Sequence, residues 1–328
     1  MVSIGMKLFK GLVSCALVIA SSGISAQVVL RLAHAGSATS SQHLAAVKMA
    51  SAVSDQTKGG LRIDIFPNGE LGNDAKSIAD TKSGALDMTM AGSGNFASLA
   101  PRLAEIDQPY SFNSSREAWK ELDSPYFGQI LLSQAVPEGI KGLSFWEVGF
   151  RSISSNKGFI KTPADLKDLR LRVGNAPQTL FFKEMGAKTV SMPLGELYAA
   201  LKADKIDAQD HPLPITYSAK LYEVQKYITL TRHAYTALMV VVNVKRFESL
   251  SPAHQKALLS GAAIGRDFQR DLNAKNEADM IQDLRKKGVQ VLEQVDSHPF
   301  RVVGIKQSSQ YFAKQLADSA KPAASAAK

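Results

Sequence analysis

Apolar and polar residues alternate in short segments of the chain. In residues 28–33 and again in 61–66 ("LRIDIF"), apolar side chains recur at alternate positions, the period of a β-strand with one buried face. Between these segments, apolar residues recur every three or four positions before a glycine pair, which predicts a helix that ends near Gly59. Its predicted buried face includes Leu44, Ala45, Val47 and Ala50.

The order of strand and helix continues and then starts again. A helix over 74–83 and a strand over 85–92 complete a first series. A second series contains a long strand over 143–156 and the strands 169–173, 188–192 and 205–210, with helical segments between the last three. Alternating strands and helices are typical of parallel sheets covered by helices. The sequence therefore predicts an α/β fold in which two such units form two domains.

The longest helical pattern begins at Ser251-Pro252 and ends at Gly288. About 36 residues at 1.5 Å per residue would span roughly 54 Å, which exceeds one small domain, so we expect this helix to contact both domains. Gly261 and Gly265 would permit a bend within it. The low-complexity residues 319–328 are predicted to be a disordered tail.

Residues 1–26 have the features of a secretory signal peptide. Two lysines precede the apolar run "GLVSCALVIASSGIS", and the small residues of "ISAQ" predict cleavage after Ala26. The tetrapeptide "LVSC" also matches a lipoprotein acylation site, but almost no apolar run precedes Cys15. After cleavage the exported chain would contain no cysteine, which excludes disulfides, thiol catalysis and cysteine-based zinc sites.

The charge of the chain leaves several kinds of partner open. The formal net charge is +9, and cleavage of the signal would remove two lysines and no acidic residue. A mildly basic exported protein could bind membranes or polyanions, or it could collect small anions. Because no run of five or six basic residues occurs, we expect no nucleic-acid partner.

Motifs that would indicate an enzyme are absent from the sequence. It contains no HExxH motif, no G-x-S-x-G elbow and no P-loop. The segment "GSGNFA" (92–97) resembles a dinucleotide fingerprint, but two predicted strands already precede it, so we interpret it as a glycine turn at a strand end. No two of the six histidines are four residues apart. We therefore expect no catalytic residue, no metal and no cofactor.

Four polar side chains stand where predicted strands end. His34 follows the first strand, Arg151 follows "WEVGF", Arg172 is near the end of "LRLRV", and His211 follows "KIDAQD". In open α/β sheets, ligands bind outside the carboxyl ends of the strands. Arginine suits a carboxylate ligand, because its planar fork donates two parallel hydrogen bonds and keeps its charge.

Seven segments, in order along the chain, carry a resemblance to a known family. They are "FPNGELGND" (66–74), "SGALDMTMAGSGNF" (83–96), "WEVGFRSISSNK" (146–157), "TPADLKDLRLRVGNAP" (162–177), "GAKTVSMPLGELYAALKADKIDAQDHP" (186–212), "LYEVQKYIT" (221–229) and "VVVN" (240–243). Over about residues 30–315 the chain resembles the periplasmic solute-binding proteins of tripartite ATP-independent periplasmic (TRAP) transporters, the DctP-like C4-dicarboxylate-binding family.

The resemblance implies a two-domain periplasmic binding protein of the Venus-flytrap type, each domain a mainly parallel sheet flanked by helices. Such a protein is not an enzyme: it closes on a small organic acid in the periplasm and delivers it to the membrane subunits of a TRAP transporter. We expect a monomer. The expected boundaries are 27–149 plus 237–275 for domain I and 150–236 plus 276–318 for domain II.

The resemblance also assigns roles to the arginines. Arg172 falls on the family arginine that pairs with the substrate carboxylate, and Arg151 falls on a second arginine that commonly contacts the ligand. Arg170 lies on the same strand face as Arg172 but farther from the strand end, so we expect a structural role for it.

Other positions match or depart from the family pattern. Asn175 and Asn95 fall on positions that often line the pocket, and His34 falls on an early polar contact. His211 stands where the family usually has asparagine, and an imidazole there could donate to the ligand and make affinity depend on pH. Gly92 stands where sialic-acid-binding members tend to have an acidic residue, so both departures argue against sialic acid.

The sequence leaves the substrate and two other functions open. A C4-dicarboxylate, a sugar acid, a keto or hydroxy acid and an aromatic acid all fit the pattern. A binding protein that serves a signalling receptor would share the same features. An exported hydrolase of an organic acid would need a nucleophile and a base, and no such pair is visible.

Overall fold

The computed structural model describes residues 27–319. Its strands are β1 (Val28–Ala33), β2 (Leu61–Phe66), β3 (Met88–Gly92), β4 (Ile140–Ser155), β5 (Arg170–Val173), β6 (Lys188–Ser191), β7 (Ala208–Pro212), β8 (Tyr227–Thr229), β9 (Tyr235–Asn243) and β10 (Gln290–Leu292). Its α-helices are α1 (Ser41–Gln56), α2 (Asp74–Ser83), α3 (Ser115–Leu122), α4 (Gly128–Ser133), α5 (Ala176–Glu184), α6 (Leu194–Lys202), α7 (Leu213–Ser218), α8 (Val244–Glu248), α9 (Pro252–Lys286) and α10 (His298–Ser319). The predicted signal peptide lies outside the described residues, as does the predicted tail after Ser319.

The long strand β4 belongs to two sheets. Its residues 140–150 pair with β9 in a sheet of order β2-β1-β3-β9-β4, and its residues 151–155 pair with β7 and β8 in a sheet of order β6-β5-β7-β4-β8-β10. We call the two sheets, with the helices that cover them, the first and second lobes. The predicted α/β class is confirmed, and each sheet is mixed. Strands β1, β2 and β3 are parallel, as are β5, β6 and β7, whereas β9 and β4 run antiparallel to their neighbours.

The predicted long helix is α9, which packs on both lobes. On the first lobe, a Cβ atom at Gly261 would lie 2.4 Å from Val53, and one at Gly265 would lie 2.4 Å from Trp146. The two glycines therefore allow close packing, and the helix continues through both of them. At its other end, Leu284 packs in a core cluster with Leu213 of the second lobe. Within residues 27–319, no helix is both long and apolar enough to cross a membrane.

The predicted buried face of α1 is wrong in part. Leu44 and Val47 are exposed, at 43% and 48%. The buried residues of the helix are Gln42, Ala45, Ala46, Met49 and Val53. These buried side chains are mostly small or flexible because the backbone of α9 approaches them closely. The large apolar residues of the helix were therefore a poor guide to its buried face.

Candidate ligand-binding site between the two lobes

A cavity lies where the carboxyl ends of β1, β3, β5 and β7 converge. Its inner part has a volume of about 90 Å³ and opens into a wider outer part of about 430 Å³. The polar side chains that line the inner part are Gln42, Asp74, Asn95, Arg151, Arg172, Asn175, His211 and Thr236. Among them are five of the six residues that the sequence singled out as site residues; His34 is the exception.

Arg172 presents an unneutralised charge to this cavity. Its side chain is 4% exposed. Nε and Nη2 donate to the carbonyl oxygen of Met192 (3.0 and 2.7 Å), and Nη1 donates to Nε2 of His211 (2.9 Å). The ion pairs among residues 27–319 include none with Arg172. Burial lowers the pKa of Arg172 to about 10, so the side chain stays charged at neutral pH. Two of its five N–H groups remain available to a ligand.

Arg151 lines the same cavity but is already neutralised. Its Nε donates to the carboxylate of Asp210 at 2.6 Å, Nη2 donates to the carbonyl of Asp210 at 2.6 Å, and Nη1 donates to Thr236 at 3.1 Å. Although burial opposes ionisation of Asp210, the Arg151 guanidinium holds the pKa of that carboxyl below its ordinary value. The pair is fully buried.

Asn175 is fixed at the start of α5. Its Oδ1 accepts the backbone N–H of Gln178 and so caps the helix, while Nδ2 donates to the carboxylate of Asp107 at 3.1 Å. A Cβ atom at Gly94 would lie 2.7 Å from Nδ2 of Asn175. The glycine of the "GSGNFA" turn is therefore needed for the two lobes to approach each other here.

A carboxylate faces Arg172 across the cavity. Asp74, the first residue of α2, accepts a hydrogen bond from Nδ2 of Asn95 at 2.9 Å, and both side chains line the inner and outer parts. Removal of water from around the carboxyl raises the pKa of Asp74 to about 6, while the charge of Arg172 opposes that shift. The cavity thus carries a positive group on one wall and a titratable acid on the other.

His34 does not line the cavity. It lies behind Gln42, with Nδ1 3.4 Å from the Gln42 amide and Nε2 3.2 Å from His43. Burial, followed by the nearby His43, lowers the pKa of His34 to about 3, so its ring is neutral. The polar group that reaches the cavity from this part of the first lobe is Gln42.

Three lining residues were missed by the sequence reasoning: Gln42, Asp74 and Thr236. Gln42 is a polar residue of α1 outside the apolar face predicted for that helix, and Thr236 lies inside an apolar strand. Asp74 follows the Asn73 cap, where an acidic residue is ordinary for a helix start. Of the three, only Asp74 could have been recognised from the sequence, because it ends the segment "FPNGELGND", which matches the family pattern.

Comparison with known proteins identifies the family. Residues 32–315 match the model of bacterial extracellular solute-binding protein family 7, DctP. The chain belongs to this family. The 2,3-diketo-L-gulonate-binding periplasmic protein YiaO of Escherichia coli K12 is 40% identical over 281 residues, which cover 85% of each chain. The resemblance to TRAP-type solute-binding proteins is therefore confirmed.

Solved structures of a sugar acid binding protein and of a TRAP periplasmic solute binding protein share the fold. The sugar acid binding protein DctPAm from Advenella mimigardefordensis, in complex with galactonate, has a TM-score of 0.82 at 30% identity, over 88% of this chain and 93% of that one. A TRAP periplasmic solute binding protein from Haemophilus influenzae, with bound L-gulonate, has a TM-score of 0.82 at 26% identity, over 89% and 95%. These matches confirm the two-domain α/β architecture.

Proposed function

We propose that the chain is a periplasmic receptor for a sugar acid with one carboxylate, which it delivers to the membrane subunits of a TRAP transporter. The export features of residues 1–26 and membership of family 7 support the location and the partner. The relatives named above bind 2,3-diketo-L-gulonate, galactonate and L-gulonate, and all of these are sugar acids with one carboxylate. The ligand leaves the protein chemically unchanged.

The observation that carries this proposal is the buried charge of Arg172. A guanidinium taken out of water without an anionic partner is costly, and an ion pair with good geometry offsets that cost. Its two free N–H groups can hold one carboxylate. The ligand carboxylate would therefore pair with Arg172 in the way that Asp210 pairs with Arg151.

Asp74 supports a ligand with hydroxyl groups and a single carboxylate. An ionised carboxylate only accepts hydrogen bonds, so it pairs with hydroxyl groups and repels a second negative charge. Asn95, whose Nδ2 is bound to Asp74, has its Oδ1 left to accept another hydroxyl. A polyhydroxy acid with its carboxylate at Arg172 and its hydroxyls at Asp74 matches both walls, whereas a dicarboxylate does not.

The expected domain boundaries are retained as part of this proposal. Strand β4 changes partner between Phe150 and Arg151, and β9 begins at Tyr235, close to the boundaries at 149 and 236. Rotation about these two strands would open and close the cavity between the lobes. Helix α10 also contacts the first lobe, since Tyr311 donates to the carbonyl of Pro101 at 2.7 Å, so closure must accommodate this contact.

A ligand screen tests the proposed function. A thermal-shift screen of the protein without residues 1–26, against C4-dicarboxylates, C4 to C6 aldonates, keto-aldonates, aldarates and aromatic acids, should give its largest shifts with aldonates or keto-aldonates. Calorimetry of the best acid should show one site, and the acid should be recovered intact. A largest shift with a C4-dicarboxylate, or conversion of the bound acid, would contradict the proposal.

A further inference from the structure

A chain of buried hydrogen bonds runs from Arg172 to the backbone. Nη1 of Arg172 contacts Nε2 of His211 at 2.9 Å, and Nδ1 of His211 contacts Oε1 of Gln209. Nε2 of Gln209 donates to Ser154 at 2.7 Å, and Ser154 donates to Oε1 of Gln225 at 3.0 Å. We call His211, Gln209, Ser154 and Gln225 the His211 relay. All four side chains are at least nine-tenths buried.

The donors and acceptors of the relay allow one direction only. A guanidinium N–H can only donate, so Nε2 of His211 must accept and carries no proton. The imidazole is then neutral with its proton on Nδ1, which donates to Gln209. Turning the Gln209 amide round would move that proton to Nε2 and set two donors 2.9 Å apart, facing each other.

The far end of the relay is anchored. The Gln225 amide donates to the carbonyl of Val224 at 3.2 Å, which leaves Oε1 of Gln225 to accept from Ser154. Each group therefore donates away from Arg172, and such chains strengthen their members cooperatively. Thr216 accepts the second N–H of Gln209 at 3.2 Å as a side branch.

We propose that His211 is a positioning residue: its Nε2, set as an acceptor by Gln209, holds the guanidinium of Arg172 with its free N–H groups towards the ligand. His211 itself then donates no hydrogen bond to the ligand, because Nδ1 is used by Gln209 and Nε2 by Arg172. This differs from the donor role expected of His211 from the sequence. The inference rests on the proposed function only in assigning the ligand carboxylate to Arg172.

The charged groups around His211 favour its neutral form. Arg172 on β5, Arg151 on β4 and Asp210 on β7 face it. Burial, followed by the two arginines, lowers the pKa of His211 well below its ordinary value, and Asp210 opposes them. Protonated His211 would turn Nε2 into a donor and push Arg172 out of position.

The matched variants are His211→Gln and His211→Asn. The glutamine amide reaches about as far as Nε2 and can still accept from Arg172, whereas the asparagine amide ends near the level of Nδ1. With L-gulonate as the probe in calorimetry, we expect His211→Gln to stay within about 3-fold of wild type and His211→Asn to lose about 10-fold or more. Thr216→Val, which removes only the side branch, should change affinity by less than about 2-fold. Equal losses in both His211 variants, or tighter binding by His211→Asn, would overturn the proposal.

A measurement without ligand separates this inference from the proposed function. In ¹⁵N-histidine-labelled protein, the NMR signals of His211, assigned by comparison with His211→Gln, should show a neutral ring protonated at Nδ1 from about pH 6 to 8. In Gln209→Glu the added carboxylate should favour a doubly protonated ring. A wild-type ring protonated at Nε2, or charged, would overturn the inference. If no sugar acid binds the wild type, the proposed function fails, and the NMR result still decides the tautomer.

Discussion

The two buried arginines of the cavity differ in what they contact. Arg151 and Arg172 are each 4% exposed and line the same cavity. Arg151 is bound to the carboxylate of Asp210, whereas Arg172 is bound to a carbonyl oxygen and to the neutral ring of His211. A carboxylate cancels a positive charge, and the other two groups only satisfy donors. Burial of an arginine therefore does not by itself indicate an anion site; the missing counter-charge does.

The two arginines are also expected to differ in whether they contribute to folding stability or to ligand binding. The Arg151–Asp210 pair belongs to the folded protein whether or not a ligand is present, because Asp210 is fully buried and His233 lies 3.5 Å from its carboxylate. Arg172 forms no ion pair within residues 27–319, and the carboxylates of Asp210 and Asp74 favour its charge only from beyond ion-pair distance. Loss of Arg151 should therefore damage folding, and loss of Arg172 should damage affinity.

The largest effect is expected from Arg172→Ala. Removing one partner of a desolvated ion pair costs about 3–5 kcal/mol, or two to four orders of magnitude in affinity. The ligand-free variant should melt no lower than wild type, because an unpaired buried charge has been removed. Calorimetry and thermal unfolding test the two parts. Near-wild-type affinity of Arg172→Ala would contradict the proposed difference between the two arginines. Arg172→Lys should also bind weakly, because an ammonium group cannot donate the two parallel hydrogen bonds of a guanidinium.

Arg151→Met should act on stability instead. The substitution leaves the Asp210 carboxylate buried without its partner, so the free energy of unfolding should fall by about 3–5 kcal/mol in urea titrations. Arg151→Met combined with Asp210→Asn should recover part of the loss. If Arg151→Met folds as stably as wild type but no longer binds, Arg151 contacts the ligand as the resemblance implied, and the contrast between the two arginines fails.

The positions around the cavity could be predicted from the sequence where they depend on a local rule. Side chains at the carboxyl ends of parallel strands meet, so Arg172, Asn175, His211 and Asn95 surround one cavity. The two arginines of β5 share one face, and their distance from the strand end separated Arg172 from Arg170, whose guanidinium forms two hydrogen bonds with Asp207 at 2.9 and 2.7 Å. That Arg172, Asn175, His211 and Asn95 contact the ligand stays a prediction.

The partner of Arg151 could not be predicted in the same way. Asp210 is 59 residues away and meets Arg151 only because β4 pairs antiparallel with β7, which sets Arg151 opposite Pro212. Nothing in the periodicity of either strand indicates that they are neighbours. The position of His34 behind Gln42 likewise depends on how α1 packs, and the apolar face of that helix was itself predicted in part wrongly.

A smaller effect is expected from Asp74→Asn, which removes the only acid facing Arg172 among the described lining residues of the inner cavity. Affinity for an aldonate should fall by about 10-fold, since an ionised acceptor gives the stronger hydrogen bond. A six-carbon aldarate should bind the variant better than wild type. Because the pKa of Asp74 is raised to about 6, wild-type affinity for the aldarate should improve as pH falls through 6, and the variant should lack that step. Calorimetry with both acids at pH 5, 6 and 7 tests this; identical pH profiles would remove Asp74 from the site.

The smallest effect is expected from Arg170→Ala, on the same strand as Arg172. Arg170 is paired with Asp207, but its side chain is 43% exposed, and solvent screens such pairs, so the pair contributes little to stability. Hydrogen bonds from Arg170 lower the pKa of Asp207 to about 2 in the folded protein. The pair therefore stabilises the fold above the pKa of an unfolded aspartate, near 4, and this stabilisation is lost as pH falls towards 2. Urea unfolding at pH 7 and pH 3 should show the gap from wild type narrowing, with ligand affinity at pH 7 unchanged within about 2-fold. A large loss of affinity would mean that charge anywhere on β5, and not the unpaired guanidinium of Arg172, attracts the anion.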